Sequence, residues 1–473
     1  MPRPSPRPTS APSGALAAAV ATATLALAAC ADLAPTAPDA PRLARTGGTA
    51  LQVNTLADHD DGACTTQDCT LREAIRLAPP GGTITFKNLS GTIALDPTAA
   101  PATLVVERSL TIQGPGAGVL TVAMQQQAGR VFRIGGSDVT ISGLTITGGA
   151  ALGAFLEGEG GGIYSDAANL TLRDVRISGN TAERGGGLAF LGGNLLTERS
   201  TVSGNTASSG GGLYLASRGP ATIVLRQSTV RDNQAAVDGA GILHGQGALA
   251  LEQSTLSGNV AGSFGGALYT GGSGTTSVDR SSISGNAAGN GGGAISTWGA
   301  EPLTITSSTI AGNSARVAGG LFSYYGHDRL TNTILAGNSA SDVPGNADCI
   351  LGDPSFTWAS SGGYNLTSPG TGCGYLPAAP GDRLVPASQV FRTTLYYYLE
   401  DNGGPTRTHR LLDPAVTGQP NPALDGGACS ATADQRGFVR PVDLASVPNA
   451  AGGNGCDIGA LEVQAPTRGG PRR

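Results

Sequence analysis

An asparagine recurs at intervals of 25 to 28 residues through the middle of this 473-residue chain. In every copy an aliphatic residue stands three positions before the asparagine, and an alanine stands two positions after it. In six copies a Gly-Gly or Ala-Gly pair then precedes a short apolar segment. A repeat of this length without helical periodicity predicts one short β-structured unit per copy. The asparagine column consists of Asn180, Asn205, Asn233, Asn259, Asn286, Asn313 and Asn338.

A unit of this kind cannot bury its own apolar face, so neighbouring copies must stack and share one core. The pattern predicts an all-β fold, a right-handed parallel β-helix of roughly ten coils. We expect the asparagines to form an internal ladder at a turn, with amides bridging coils about 4.8 Å apart. A leucine-rich-repeat solenoid would require a leucine-dense pattern, which this sequence lacks.

Composition agrees with an elongated β-fold and limits the possible partners. The 74 glycines fit many tight turns, while the apolar content of 39% is too high for a disordered glycine-rich chain. Charged residues make up 13% of the chain and the net charge is -5, which gives no electrostatic reason to expect nucleic acid as a partner.

The N-terminal segment has the features of an export signal, with early arginines followed by the apolar stretch Ala15 to Ala29. The junction Leu27-Ala28-Ala29-Cys30 resembles the lipobox of bacterial lipoproteins, in which the cysteine carries lipid after cleavage. By that resemblance, Ala31 implies sorting to the outer membrane of a Gram-negative cell. An ordinary secretory signal that happens to contain a cysteine is the alternative.

Six cysteines remain once Cys30 is set aside, and they lie in sequence-local pairs. An oxidising compartment would allow each pair to close as a disulfide. A zinc site is the competing interpretation, but no histidine lies at ligand spacing from these pairs. The predicted disulfides are Cys64 with Cys69, Cys349 with Cys373, and Cys429 with Cys456.

Three stretches carry a family resemblance. The S-G-N-x-A copies resemble the repeats of polymorphic outer membrane proteins and of the wider pectin-lyase-like superfamily. The segment DGACTTQDCTLREAI (Asp61 to Ile75) resembles the CSLREA motif that opens many bacterial surface β-helices, with Cys69-Thr70 where that motif has Cys-Ser. Between Asp401 and Glu462, the segments DNGGPTRTH, NPALD, TADQRGFVRP and CDIGALE resemble the choice-of-anchor Q domain, although NPALD replaces the usual SPAID. The resemblance implies an exported surface protein.

The ends of the repeat array differ from its middle. Thr70 and Glu73 form a capping-box pattern that predicts a short helix at the N-terminal opening, where it would keep the end of the solenoid dry. Beyond Ile350 the repeat decays, and we expect a disulfide-bearing C-terminal cap. The predicted segments are a signal peptide at 1–29, an Ala/Pro-rich tether at 30–50, the N-terminal cap at 51–80, repeats at 81–348, the choice-of-anchor Q-like region at 349–462 and a disordered tail at 463–473.

The sequence shows no catalytic signature, neither the carboxylate cluster with a basic residue of pectate lyases nor the aspartate pairs of polygalacturonases. His244 and His327 are single histidines that we expect at the surface. The run Asp58, Asp60 and Asp61 could bind calcium, although a solvated loop is the alternative interpretation. We predict no cofactor and no bound metal.

An aromatic residue follows the Gly-Gly segment in most copies, and His244 fills a gap in the series. If these residues face outward, they form a stripe on which sugar rings of a long polymer can stack. If they face inward, they are packing residues. The candidate glycan contacts are Tyr214, His244, Tyr269, Trp298 and Tyr324, and the same series includes Tyr164, Phe190 and Phe322.

The missing catalytic signature and the aromatic series leave two classes of function open. The first is a non-enzymatic, adhesin-like or polysaccharide-binding cell-surface protein. It would be monomeric, held to the membrane only by the lipid on Cys30, and its partner would be a polysaccharide or cell-surface glycan. The alternative is a polysaccharide lyase or glycoside hydrolase of the pectin-lyase-like superfamily with an unrecognised active site.

Overall fold

The computed structural model describes residues 50–464, apart from gaps at 127–128, 137, 154, 167–168, 300, 326–327, 352–359, 371 and 373–378. The predicted signal segment, Cys30, His327 and Cys373 lie outside the described residues. In the described part of the chain, no helix is long and apolar enough to cross a membrane.

The chain winds through four parallel β-sheets, which we number in the order in which each coil visits them. Sheet 1 contains Ala50–Val53, Gly82–Phe86, Leu110–Gln113, Asp138–Ser142, Asn169–Arg173, Leu195–Glu198, Thr222–Arg226, Ala248–Glu252, Thr276–Asp279, Leu303–Thr306, Arg329–Thr331 and Ser360–Ser361. Sheet 2 contains Gly91–Leu95, Leu120–Met124, Thr145–Thr147, Arg176–Ser178, Thr201–Ser203, Thr229–Arg231, Thr255–Ser257, Ser282–Ser284, Thr309–Ala311, Ile334–Leu335, Leu366–Thr367 and Arg383–Leu384.

The other two sheets complete each coil. Sheet 3 contains the short strands Ala150–Ala151, Thr181–Arg184, Thr206–Ser209, Gln234–Ala235, Val260–Ala261, Ala287–Ala288, Ser314–Ala315 and Ser339–Ala340. Sheet 4 contains Leu104–Val106, Phe132–Gly135, Ile163–Asp166, Leu188–Phe190, Leu213–Ala216, Ile242–Gln246, Leu268–Thr270, Ile295–Thr297, Leu321–Ser323 and Cys349–Leu351. Among the described residues, sheet 4 has ten strands and sheets 1 and 2 have twelve each, which agrees with the predicted roughly ten coils.

Stacking in register makes each strand position a column along the solenoid. Ile177 of sheet 2 pairs with Val202, which pairs in turn with Val230, and all three side chains are buried. Successive strand residues point to opposite sides of a sheet, so every second column fills the interior. The resulting core runs from Val53 to Cys349 without a break. The predicted all-β parallel β-helix is confirmed.

The asparagine column lies at the turn between sheets 2 and 3, inside the solenoid. From Asn205 to Asn338, the Oδ1 atom of each asparagine accepts hydrogen bonds from the main-chain N and the Nδ2 of the asparagine one coil earlier, at 2.8–3.1 Å. Gly149 N donates to Asn180 at one end, and Asn338 donates twice to Asp348 Oδ1 at the other, both at 2.9 Å. The aligned amide dipoles therefore end on a buried carboxylate, whose charge favours these donors.

The predicted N-terminal helix is present at Leu71–Leu77, and both bonds of its capping box are formed by Thr70 and Glu73. Leu71, Ala74 and Ile75 are buried in the core at the open end of the solenoid. This helix closes the end because it covers apolar side chains that no further coil would cover.

The C-terminal region lies along the outer side of sheet 2. Gln435 accepts a hydrogen bond from Ser282 Oγ at 2.7 Å, and His409 Nε2 lies 2.8 Å from Ser284 Oγ. Its short helical segments are Ala387–Gln389, Val390–Thr394 and Pro414–Thr417, while two 3₁₀ turns, Phe155–Gly158 and Pro344–Asn346, interrupt the repeats. The cap thus covers one flank of the solenoid.

Disulfides are present in both caps. Among the described residues Cys64 is bonded to Cys69, and Cys429 to Cys456. Cys349 is also disulfide-bonded, whereas Cys373, its predicted partner, lies outside the described residues.

Candidate functional site

Four of the aromatic residues share one outward-facing column of sheet 4. The strand register aligns Tyr164, Tyr214, Tyr269 and Phe322, and one coil lies between each of these residues and the next. Each follows an aliphatic residue that points into the core, so strand alternation turns the aromatic ring outward. The intervening positions of the same column are Ala189, Leu243 and Ser296.

These rings differ in how much of their surface solvent can reach. Tyr214 and Tyr269 are half-buried, whereas Tyr164 is 2% exposed and Phe322 is 9% exposed. The Arg184 guanidinium lies 5.4 Å from the Tyr214 ring centroid, within the range of a cation–π contact. Burial, and then the charge of Asp238, raises the pKa of Tyr269.

A compact aromatic cluster lies toward the C-terminal end of the same surface. Trp298 and Tyr324 stack with ring centroids 4.5 Å apart and planes 11° apart. The Phe264 ring meets Trp298 edge-on at 5.0 Å, and Phe322 lies 5.8 Å from Trp298. Both Trp298 and Tyr324 are half-buried, so part of each ring remains open to solvent. We call Tyr214, Tyr269, Trp298, Phe322 and Tyr324 together the aromatic face.

His244 is not part of this surface, and the expectation of a surface position was wrong. Its side chain is fully buried on the inner side of sheet 4, where Nδ1 lies 3.1 Å from Thr276 Oγ1 and 3.3 Å from Thr270 Oγ1. Desolvation lowers the pKa of His244 to about 4, so the ring is neutral at neutral pH. Phe190 also points inward and is fully buried. Neither side chain can contact a glycan.

A cleft opens beside the N-terminal strands of sheet 4. One cavity of about 460 Å³ is lined by Arg130 and Glu157 together with Ala150, Ala151 and Leu152. A second of about 210 Å³ is lined by the same Arg130 and Glu157 and by Arg133, Tyr164 and Asp166. The 3₁₀ turn Phe155–Gly158 forms one wall. This turn belongs to the extra residues before Ile163 that break the regular repeat.

Polar contacts hold the side chains of the cleft in place. Arg130 donates to Glu157 O at 3.1 Å, and its guanidinium lies 5.0 Å from the Tyr164 ring centroid. The Tyr164 hydroxyl donates to Asp166 Oδ2 at 3.1 Å. Burial, followed by the charge of Asp166, raises the pKa of Tyr164 to about 12. Because Tyr164 therefore stays protonated at neutral pH, it is unsuited to act as a general base.

The aspartates of the N-terminal cap are engaged with the capping helix. Both oxygens of Asp58 accept from Arg72, at 2.7 and 2.8 Å, and both oxygens of Asp60 accept from Arg76 at 2.8 Å. A structural role therefore accounts for these two carboxylates. A separate group formed by His59, Asp61 and Asp68 places three potential ligand atoms within 4.8 Å of one another.

Several residues that shape the site were not among the candidates predicted from the sequence. Arg184 supports Tyr214, Phe264 supports Trp298, and Arg130 and Arg133 line the cleft. The sequence did contain a signal for the cleft, because the insertion before Ile163 makes that copy longer than the other repeats. The arginines carry no such signal because their relation to the tyrosines depends on packing between coils.

Comparison with known proteins concerns the fold. The family model described as a right-handed β-helix region matches residues 118–283. The crystal structure of pectate lyase Pel9A is similar to this chain, with 12% sequence identity and a TM-score of 0.45, over 88% of this chain and 97% of that chain. No curated protein matches this chain. The match to the β-helix family model agrees with the right-handed parallel β-helix that the repeat predicted.

Proposed function

We propose that the protein is an exported, non-catalytic surface protein that binds a polysaccharide on its aromatic face. The observation that carries this proposal is the recurrence of outward, partly exposed aromatic rings on one sheet. Tyr214, Tyr269 and Trp298 offer flat apolar surfaces bordered by polar groups, which suits the C–H-rich faces of sugar rings. A solenoid presents such surfaces in a line, which suits a long polymer.

The position of the C-terminal region supports the same assignment. Among the described residues, Gln435 and His409 of this region contact sheet 2, and no hydrogen bond joins the region to Tyr214, Tyr269 or Trp298. Rings that served only as packing would be expected under such a cover. Instead Tyr214 and Tyr269 stay partly open to solvent.

Export and attachment complete the proposal. Disulfides form and persist mainly in oxidising compartments, so the bonded pairs of the two caps favour an extracytoplasmic location. We assign the membrane link to a lipid on Cys30, which would leave the solenoid free as a monomer on the cell surface. The resemblance to CSLREA and choice-of-anchor Q proteins agrees with that location.

A glycan array probed with the purified wild-type protein tests this function. We expect selective binding that Tyr214→Ala and Trp298→Ala weaken, with small changes in melting temperature because both rings are partly exposed. A buried aromatic residue would instead leave a cavity costing about 3–5 kcal/mol. Wild-type protein that binds no glycan on the array contradicts the proposal. Large destabilisation with unchanged affinity per folded molecule would make the rings packing residues.

A polysaccharide lyase or hydrolase is the second candidate, and the cleft is the observation that favours it. Arg133 is exposed at its edge, and Glu157 and Asp166 supply carboxylates. An assay for unsaturated uronate absorbance or new reducing ends separates the two candidates. Activity that Arg133→Ala or Glu157→Gln abolishes would establish the enzyme. Binding without turnover supports the non-catalytic assignment.

A further inference from the structure

The outward aromatic rings of sheet 4 occupy alternate coils. Tyr214 and Tyr269 are separated by the coil that carries Leu243, and Tyr269 and Phe322 are separated by the coil that carries Ser296. Adjacent strands lie about 4.8 Å apart, so rings on alternate coils recur at about 10 Å. Tyr214, Tyr269 and Phe322 are therefore separate platforms with a two-coil period.

Three aromatic platforms on this side of the solenoid are open to solvent. Tyr214 and Tyr269 form the first two, and both are half-buried. Phe322 is covered, with its ring 5.5 Å from Phe264. The third platform is the half-buried Trp298–Tyr324 stack, whose rings stand two residues beyond Ser296 and Phe322 on two adjacent coils. Tyr214 and Tyr269 thus lie in one column along the solenoid axis, and the Trp298–Tyr324 stack lies beside the continuation of that column.

The polar groups at the first platform do not call for a charged ligand. Arg184, which lies over Tyr214, is paired with Glu159 through a 2.8 Å contact. Burial raises the pKa of Glu159, and the neighbouring positive charge of Arg184 counteracts that rise. Since the local charges compensate each other, ring stacking and hydrogen bonds to hydroxyl groups are the interactions available to a ligand.

A ligand that matches this arrangement has to present equivalent apolar faces at the same interval. In an extended β-(1→4)-linked glycan each sugar is turned over relative to its neighbour, so the same face recurs on every second unit. An α-(1→4)-linked glucan curls and cannot follow a straight row. Resting on the polysaccharide-binding function above, we propose that the aromatic face binds an extended, neutral β-(1→4)-linked glycan along the solenoid axis, with alternate sugars over Tyr214 and Tyr269 and the glycan chain continuing past the Trp298–Tyr324 stack.

The first test compares polymers. Wild-type protein is mixed with cellulose as the β-(1→4)-glucan and with amylose as the α-(1→4)-glucan, and the bound fraction is measured. We expect retention on cellulose and little on amylose. Equal or stronger binding to amylose, or preference for an acidic polymer on the glycan array, overturns the ligand class while leaving polysaccharide binding intact. Failure to bind any glycan removes the underlying function as well.

The second test concerns the two-coil period. Tyr269→Ala is expected to weaken cellulose binding about tenfold through loss of one stacking contact. Tyr269→Phe keeps the ring and should bind like wild type. The double variant Tyr269→Ala with Leu243→Tyr keeps the number of rings but moves one by a single coil, so it should stay weak. Recovery of wild-type affinity by that variant would refute the alternate-coil arrangement.

A control and a folding check complete the design. Tyr398 is 64% exposed in the C-terminal region, so Tyr398→Ala removes an exposed tyrosine remote from the aromatic face and should leave binding unchanged. Each variant is compared at equal folded concentration, established from its melting curve. A loss of affinity in Tyr398→Ala equal to that in Tyr269→Ala would show that binding does not depend on the aromatic face.

Discussion

Replacing one asparagine inside the ladder should destabilise the coils around it. Asn259 is fully buried, and its Oδ1 accepts from Asn233 N at 3.1 Å and from Asn233 Nδ2 at 2.9 Å. In Asn259→Ala the Nδ2 of Asn233 still donates to Val202 O, but the main-chain N–H of Asn233 loses its acceptor. An orphaned buried donor costs about 1–3 kcal/mol, and the other lost bonds and the vacated volume raise the total to about 2–4 kcal/mol.

The matched control is the same substitution on the outside of the solenoid. Asn194 is exposed, donates to Asn169 Oδ1 at 3.1 Å and accepts from Thr222 N at 2.9 Å. Water can replace these bonds, so Asn194→Ala should cost less than about 0.5 kcal/mol. Denaturant unfolding followed by circular dichroism gives the two values, and hydrogen exchange locates the loosened coils. Equal costs for the two variants would refute the argument that burial makes the ladder strong.

Three further predictions concern the core, the cap and the anchor. The fold lowers the pKa of His244 to about 4, whereas in the unfolded chain the pKa of this histidine is near its ordinary value of 6.5. The neutral, buried ring is therefore fully compatible with folding above pH 6.5, and the free energy of unfolding decreases as the pH falls from there toward 4. Wild type should therefore lose about 2 kcal/mol more than His244→Leu between pH 7 and pH 5 in denaturant unfolding, and parallel losses would contradict this. Gln435→Ala removes buried hydrogen bonds to Ser282 and Thr255. Limited proteolysis should therefore cut the C-terminal region sooner than in wild type, while the repeats stay intact. An unchanged cleavage rate would show that Gln435 does not hold the C-terminal region against the repeats. Cys30→Ala should release the protein from membranes into the soluble fraction, and unchanged detergent partition would remove the lipid anchor.

The repeat made the fold predictable because aligning one column of residues determines whether each other column faces the core or the solvent. Once Asn205 and Asn233 are aligned, strand alternation decides which neighbours face the core. The last acceptor of the ladder escaped prediction because Asp348 follows Asn338 by only 10 residues and breaks the period. The position of the C-terminal region along sheet 2 escaped it too, since its contacts join residues far apart in the chain with no periodic signal.

The site was predictable only in part, although the error at His244 had a visible signal. His244 follows the core residue Ile242 by two positions, and Phe190 follows Leu188 by two, so alternation places both inside. Tyr269 follows Leu268 by one position, which places it outside. What the sequence could not give was the exposure of each ring, because that depends on neighbours such as Arg184 and Phe264.

The central claim is that the aromatic face contacts polysaccharide, and residue-resolved hydroxyl-radical footprinting tests it most directly. Wild-type protein is oxidised with and without a saturating bound glycan, and the modified tyrosine and tryptophan residues are quantified by mass spectrometry. We predict protection of Tyr214, Tyr269 and Trp298, with Tyr397 and Tyr398, which are 59% and 64% exposed in the C-terminal region, reacting equally in both samples. Protection of Tyr397 and Tyr398 with no change at Tyr214 and Tyr269 would contradict the assignment.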